Sequence, residues 1–470
     1  MTAGTTSGLD PDRLFPLDPA TRDIARELFA LVETARIISP HGHVEATQVL
    51  EDHAFADPAA LFVTHDHYVT RLLHAAGLDL GRLGAGTVAA EDPRATWRAL
   101  AEHWHLFAGT ASGFWLTHTL ATLFGIDDDP GATTADAQYD RIAAELADPA
   151  FRPRRLLERF GIEVLATTDD PLDDLAAHAA LAADPSVSTR VLPTFRPDRY
   201  LDPDAPAFAD DVARLADREG VAPDDFGGYL RALEARRAHF IQRGAVSADH
   251  GVLEPFSCDL DPVDAASLFR GALAGRLDAR EARQFRGHML WQMARMSVAD
   301  GLVMTVHAGI RRNHSSATLA RLGPDTGHDV PVATGFTDNL RPLLESHGLA
   351  RGFHLVLFTV DESTYAREIA PLAGFYPSVY IGAPWWFLDA PEAIRRFRGA
   401  VTETAGFYRG SGFIDDTRAF LSIPARHDTA RRSDAAYLAT LVAEGRIGMP
   451  TARRVMTDLV DAIPRKAFKL

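Results

Sequence analysis

The sequence predicts an α/β protein built as a (β/α)8 barrel of the TIM type with helical insertions. Eight apolar runs end abruptly in polar, chemically capable residues, and helical patterns lie between them. The runs are continuous in Val, Ile and Leu rather than alternating, which marks strands buried on both faces, as in parallel sheets. A doubly wound open sheet meets the same observations and is the structural alternative.

In chain order the runs are ARIIS before PHGH (35–43), ALFVT before HDHY (60–68), IEVLATTDDP (162–171), TRVLPTFRPD (189–198), GLVMTVHAGIRRN (301–313), HLVLFTVDE (354–362), SVYIGAPWW (378–386) and SGFIDDTR (411–418). Of the helices, 19–35 has Asp18 as N-cap, Pro19 in the first turn, and Ile24, Leu28, Leu31 and Val32 on one face. AAYLATLVAEGRI ends near Gly445. The stretches 77–160 and 200–295 are too long for simple crossovers and read as helical insertions in one barrel domain spanning 1–470. A barrel gathers its active site at the C-terminal ends of the strands, where the polar residues fall.

Composition excludes several chemistries. Lys466 and Lys469 are the only lysines. Unless the C-terminal tail folds into the site, this excludes a Walker loop, a Schiff-base or pyridoxal mechanism and a carbamylated-lysine two-metal centre. A hydrophobic fraction of 46% with 24% charged residues is that of a soluble globular protein. The net charge of −16, without a basic tract beyond PRKAFK, argues against nucleic acid and anionic membrane as partners. A lone Cys258 and an N-terminus lacking an apolar segment point to the cytoplasm. The uncharged stretch 106–126 is rich in Ser, Thr, Gly and His, so it reads as a buried helix and not a membrane span. No GxSxG elbow or GxGxxG phosphate loop is present.

Three HxH patterns remain. Residues two apart on a strand share a face, so His41 and His43 can reach one metal ion. His103 and His105 lie in a helical pattern and do not face each other, while His65 and His67 straddle a strand-to-helix junction. The last strand of a closed barrel pairs with the first, which brings Asp416 beside His41 and His43. That makes a three-ligand site for a divalent metal, or a poised general base. Arg196 suits a planar carboxylate, with an ion pair to Asp198 as its structural alternative. His307 is a hydrogen-bond donor to a substrate oxygen or a satisfied core histidine. Trp385 and Trp386 offer an apolar wall for a sugar ring, or simple packing.

PHGH (40–43), DHY (66–68), TTDDP (167–171), PTFRPD (193–198), HAGIRRN (307–313), GPDTGHD (323–329), PWWF (384–387) and DDTRAF (415–420) together resemble, in order, the signature segments of the uronate isomerases, an outlying branch of the amidohydrolase superfamily. The resemblance implies a distorted (β/α)8 barrel that interconverts D-glucuronate with D-fructuronate and D-galacturonate with D-tagaturonate, as a homo-oligomer. It implies a divalent metal such as zinc among His41, His43 and Asp416, with His67, Tyr68, Arg196, His307 and Arg418 around the sugar acid. Within that set Asp416 is the expected C2 base. Arg418, the metal or His307 would stabilise the oxyanion, His67 or Tyr68 would handle the second proton, and Arg196 would hold the C6 carboxylate. Ser39 and Pro40 before HxH, DDTR, RRNHSS and SIPARHD depart from the family pattern, and leave room for another sugar acid. A mononuclear metal-dependent hydrolase on the same barrel is the alternative, and a non-catalytic sugar-acid binder the third reading.

Overall fold

The computed structural model describes residues 8–87, 90 and 92–470. Its strands are β1 (Ile37–Ser39), β2 (Ile162–Ala166), β3 (Arg190–Leu192), β4 (Thr194–Phe195), β5 (Ser247–Val252), β6 (Val303–Ala308), β7 (Ile310–Arg311), β8 (Val330–Pro331), β9 (Leu355–Thr359) and β10 (Val379–Ile381). Two parallel sheets form the barrel wall, ordered β1-β2-β3 and β10-β9-β6-β5-β4, while β7 and β8 make a small antiparallel ribbon at the rim. β3 and β4 are one stave divided at Pro193, which has no N–H to give a ladder. A parallel bridge between Asp169 and Phe195 carries the wall across the break. The eighth stave is extended chain. It bridges β10 at Ile381 and Gly410, and on its other side Thr417 O accepts the His43 N–H at 3.0 Å.

Three sequence expectations are corrected here. ALFVT is a turn of π-helix (Ala60–Thr64), not a strand; Asp57 accepts the Ala60 N–H at 2.9 Å and starts a helix that an apolar run of five cannot reveal by itself. The stretch 200–295 is not a plain helical insertion, because β5 divides it. Leu31 is 45% exposed, and Phe29 takes the buried position on the first helix (Pro19–Ala30) beside Leu28. Helices Pro93–Glu102, Ala111–Phe124, Ala135–Leu146 and Pro153–Arg159 do occupy 77–160. The helix in 106–126 is largely buried, and no described helix is long and apolar enough to cross a membrane.

Alternation along the wall strands separates two interiors. Val303 and Val356 pack inside with Phe358, Tyr380, Ile414 and Phe468, while Met304, Val306, Leu355 and Leu357 pack outward on the helices. The C-terminal tail closes the bottom of the barrel. Lys469 Nζ donates to Gly301 O and Gly352 O, both at 2.6 Å and both just before wall strands, so this lysine lies at the end opposite the polar strand ends.

Asp169 joins the staves at the Pro193 break. Its carboxylate accepts from Thr167 Oγ1 at 2.6 Å and the Thr194 N–H at 3.0 Å, and burial pushes its pKa up to about 7. An unfolded Asp releases its proton near pH ~4. Between those values the folded state binds more protons, so the stability this group confers is complete below the lower value and falls as pH rises towards the upper one. Denaturant titrations at several pH values should therefore give Asp169→Asn a flatter stability profile than the parent over pH ~4 to 7.

Candidate active site

The staves deliver their polar residues to one cavity of about 340 Å³. His41 and His43 follow β1, and the loop returns them to the eighth stave, where Asp416 Oδ1 lies 3.4 Å from His41 Nε2 and 3.0 Å from His43 Nε2. Burial works to raise the Asp416 pKa, but the two imidazoles hold it well below the usual carboxylate range. Burial opposes protonation of His41, yet Asp249 and Asp416 outweigh it and raise its pKa; for His43 burial prevails and lowers it.

Behind His41 stands His307 from β6, stacked at 4.8 Å, with Phe358 on its far side at 4.1 Å and the edge of Trp385 at 4.6 Å. His307 Nδ1 donates to Asp249 Oδ1 at 2.6 Å. Asp249, from β5, is 0% exposed, and also accepts from Thr305 Oγ1 at 2.6 Å and pairs with Arg196 Nη1 at 3.1 Å. Burial opposes its ionisation, but His307, Arg196 and His41 keep it ionised. Arg196 in turn donates from Nε to Asp198 Oδ2 at 2.9 Å. Two carboxylates therefore grip this arginine, and the pair with Asp198 weighed from sequence is present.

The opposite wall begins at Asp66, which caps the helix His67–Ala75 by accepting from the Tyr68 and Val69 N–H groups. That places His67 and Tyr68 in its first turn, at the cavity. Burial, helped by Arg418, lowers the His67 pKa to about 4, and burial raises the Tyr68 phenol above its ordinary value, so both are uncharged at neutral pH. Trp386 stacks on His67 at 5.1 Å, and the Arg312 guanidinium lies over its ring at 4.7 Å. Arg418, 44% exposed, reaches Asp325 Oδ2 at 3.6 Å. Trp386, Asp325 and Asp416 all have positive φ (50°, 59° and 41°), a strain that non-glycine residues rarely adopt and that gathers at functional sites.

All ten residues singled out from sequence line this cavity: His41, His43, His67, Tyr68, Arg196, His307, Trp385, Trp386, Asp416 and Arg418. The pair His103 and His105 is elsewhere, at the end of Pro93–Glu102, and does not line the cavity. Sequence reasoning did not single out Asp249, Arg312, Asp325 or Arg426. The only sequence signal for Asp249 is the DHG that interrupts AVSADHGVL.

Among the described residues two groups offer ligand atoms within 4.8 Å of one another, His41 with His43 and Asp416, and His41 with Asp249 and His307. Asp416 Oδ1 and His307 Nε2 are buried without a well-directed hydrogen bond. Buried, unsatisfied carboxylate and imidazole atoms of this kind suit a divalent metal.

The glucuronate isomerase family model matches residues 18–467. The uronate isomerase of Corynebacterium efficiens is 50% identical, covering 99% of this chain and 100% of its own, and that of Cutibacterium acnes is 49% identical over 99% of both. Among solved structures, glucuronate isomerase from Caulobacter crescentus superposes with a TM-score of 0.96 at 45% identity, covering 98% of this chain and 97% of that one. Uronate isomerase from Thermotoga maritima gives 0.92 at 27% identity, covering 98% and 99%. Likeness that runs through every stave and the whole helical surround leaves one assignment: the chain belongs to the glucuronate isomerase family.

Proposed function

We propose that the protein interconverts D-glucuronate with D-fructuronate, and D-galacturonate with D-tagaturonate, by moving a proton between C2 and C1 through an enediolate. The observation that carries this is the cavity in which an ionised Asp416, a protonated Tyr68 and the arginines Arg196, Arg312, Arg418 and Arg426 converge. Asp416 takes the C2 proton of the open-chain aldose, the bonding pair forms the C1–C2 double bond, and the C1 oxygen becomes the oxyanion. Both imidazoles address Oδ1, which leaves Oδ2 to face substrate. A carboxylate of such low pKa is a weak base, so stabilisation of the enediolate must supply most of the rate. Tyr68, with His67 beside it at 4.9 Å, is the proton donor to the C1 oxygen. Asp416 then returns its proton to C1 while the O2 proton passes to the Tyr68 phenolate, which completes the ketose and restores both groups.

The arginine roles exchange relative to the sequence reading. Arg196, tied to Asp198 and Asp249 beside the histidines, faces the reacting end, and Arg418 with Arg312 at the rim takes the C6 carboxylate. A divalent ion, zinc foremost for a His, His, carboxylate set, would be held by His41, His43 and Asp416 and would supply a Lewis acid at the developing oxyanion. Elemental analysis of purified protein, with His43→Asn as control, reads its occupancy. The helical stretch 77–160 serves as the insertion that backs this cavity through Trp115, stacked 3.8 Å from the Arg426 guanidinium. The lone cysteine supports a cytoplasmic setting.

Ketose formation from each uronate tests the function, with D-glucose as the control lacking the carboxylate. Arg418→Met should raise KM for the uronates about tenfold or more with a smaller change in kcat. An unchanged KM would remove Arg418 from the carboxylate clamp.

A further inference from the structure

Outside the barrel wall a second cavity, of about 220 Å³, opens between the end of β5, the segment 198–204 and the helix Ala279–Asp300. Leu201, Val252, Leu253, Phe256 and Leu290 form its apolar lining. Its polar lining holds four carboxylates, Asp198, Asp202, Asp204 and Glu254, against two arginines. Arg283 is bound in a two-point pair by Glu254, at 2.5 and 3.0 Å, and Arg286 is shared by Asp202 at 2.9 Å and Asp204 at 2.6 Å. Both cations are thus neutralised by carboxylates of the same cavity, and Asp198 adds a further one.

His250 lines this cavity and is fully buried, because the alternation that turns Asp249 inward turns it outward. Its Nδ1 lies 2.9 Å from Thr305 O, and a carbonyl only accepts, so Nδ1 carries the hydrogen. In the neutral ring Nε2 then offers a lone pair, and it has no hydrogen-bond partner. A buried acceptor left unpaired in a wall of carboxylates calls for a donor, and an anion such as a sugar acid would meet no uncommitted cation.

We infer that this cavity is a second ligand site, for a small amine with an apolar body, whose ammonium head meets Asp198 and His250 Nε2. Asp198 also holds Arg196, and its other oxygen accepts the Gly251 N–H at 2.9 Å. An ammonium at Asp198 competes with Arg196 for that carboxylate, so occupancy raises KM for the uronate without displacing it. This coupling rests on the proposed isomerase activity, whereas the binding itself does not.

The probe is 2-phenylethylamine, titrated into the full-length protein by ligand-observed NMR. Saturable binding at one site is expected, undisturbed in stoichiometry by excess D-glucuronate and weakened about tenfold in His250→Phe, which keeps the ring but loses the acceptor. Leu253→Trp, a change at the half-exposed mouth, should block binding even if the buried His250→Phe variant folds poorly. At saturating probe, KM for D-glucuronate should rise at least about twofold. No saturable binding up to about 10 mM, or equal affinity in both folded variants, overturns the site. An unchanged KM with the probe bound overturns the coupling.

Discussion

Asp416→Asn should lower kcat for uronate isomerisation by at least about two orders of magnitude with the fold intact. The substitution is close to isosteric, and asparagine tolerates the positive φ of this position, so the variant removes the charge and basicity without adding backbone strain. An amide can still meet the two histidines, but it cannot accept the C2 proton. Steady-state kinetics alongside thermal unfolding make the comparison, and activity within about threefold of the parent would remove Asp416 from the proton transfer.

The second large effect is on stability. Arg426 Nη1 donates to Asp389 Oδ2 at 2.7 Å, and both side chains are 2% exposed. Removing one member of such a pair leaves a buried charge without its partner, which costs about 3 to 5 kcal/mol, so Arg426→Met should lower the unfolding free energy by that order in urea titrations at neutral pH. The loss should shrink in acid. Burial already pushes the Asp389 carboxyl up to about 7 despite Arg426, and without the arginine it will take a proton rather than stay charged. A loss below about 1 kcal/mol at neutral pH would mean that water reaches the pair. Because Arg426 also lies 5.5 Å from the Tyr68 ring, the same variant should disturb that side of the cavity.

The sequence made the active-site end of the barrel legible because strand ends carry chemistry while strand bodies carry apolar runs. HxH after β1 and DDTR in the last stave stand out for that reason, and barrel closure brings them together across the whole chain. β5 was invisible for the converse reason. Its inward positions are Ser247, whose hydroxyl meets Thr194 Oγ1 at 3.4 Å, and Asp249, which accepts from Thr305 and His307; both serve hydrogen bonds rather than apolar burial, so no hydrophobic run marks the strand. Asp249 was lost with its strand. ALFVT is ambiguous because an apolar run of five fits a buried strand or a buried helical turn equally, and Asp57 three residues earlier decides for the turn. Arg312 and Asp325 carry no signal of their own in the sequence, since only the folded rim shows Arg312 on Trp386 and Asp325 against Arg418. The lysine count kept its meaning: Lys469 closes the barrel floor, so the cations lining the active cavity are arginines and histidines.

The most direct test of the central claim is to incubate the protein with D-glucuronate in deuterated water and follow the C2 proton by NMR. The expected result is appearance of the ketose together with deuterium at C2 of the recovered aldose, both abolished in Asp416→Asn. A folded, metal-supplemented protein that produces no ketose and leaves the C2 proton of both D-glucuronate and D-galacturonate in place would contradict it.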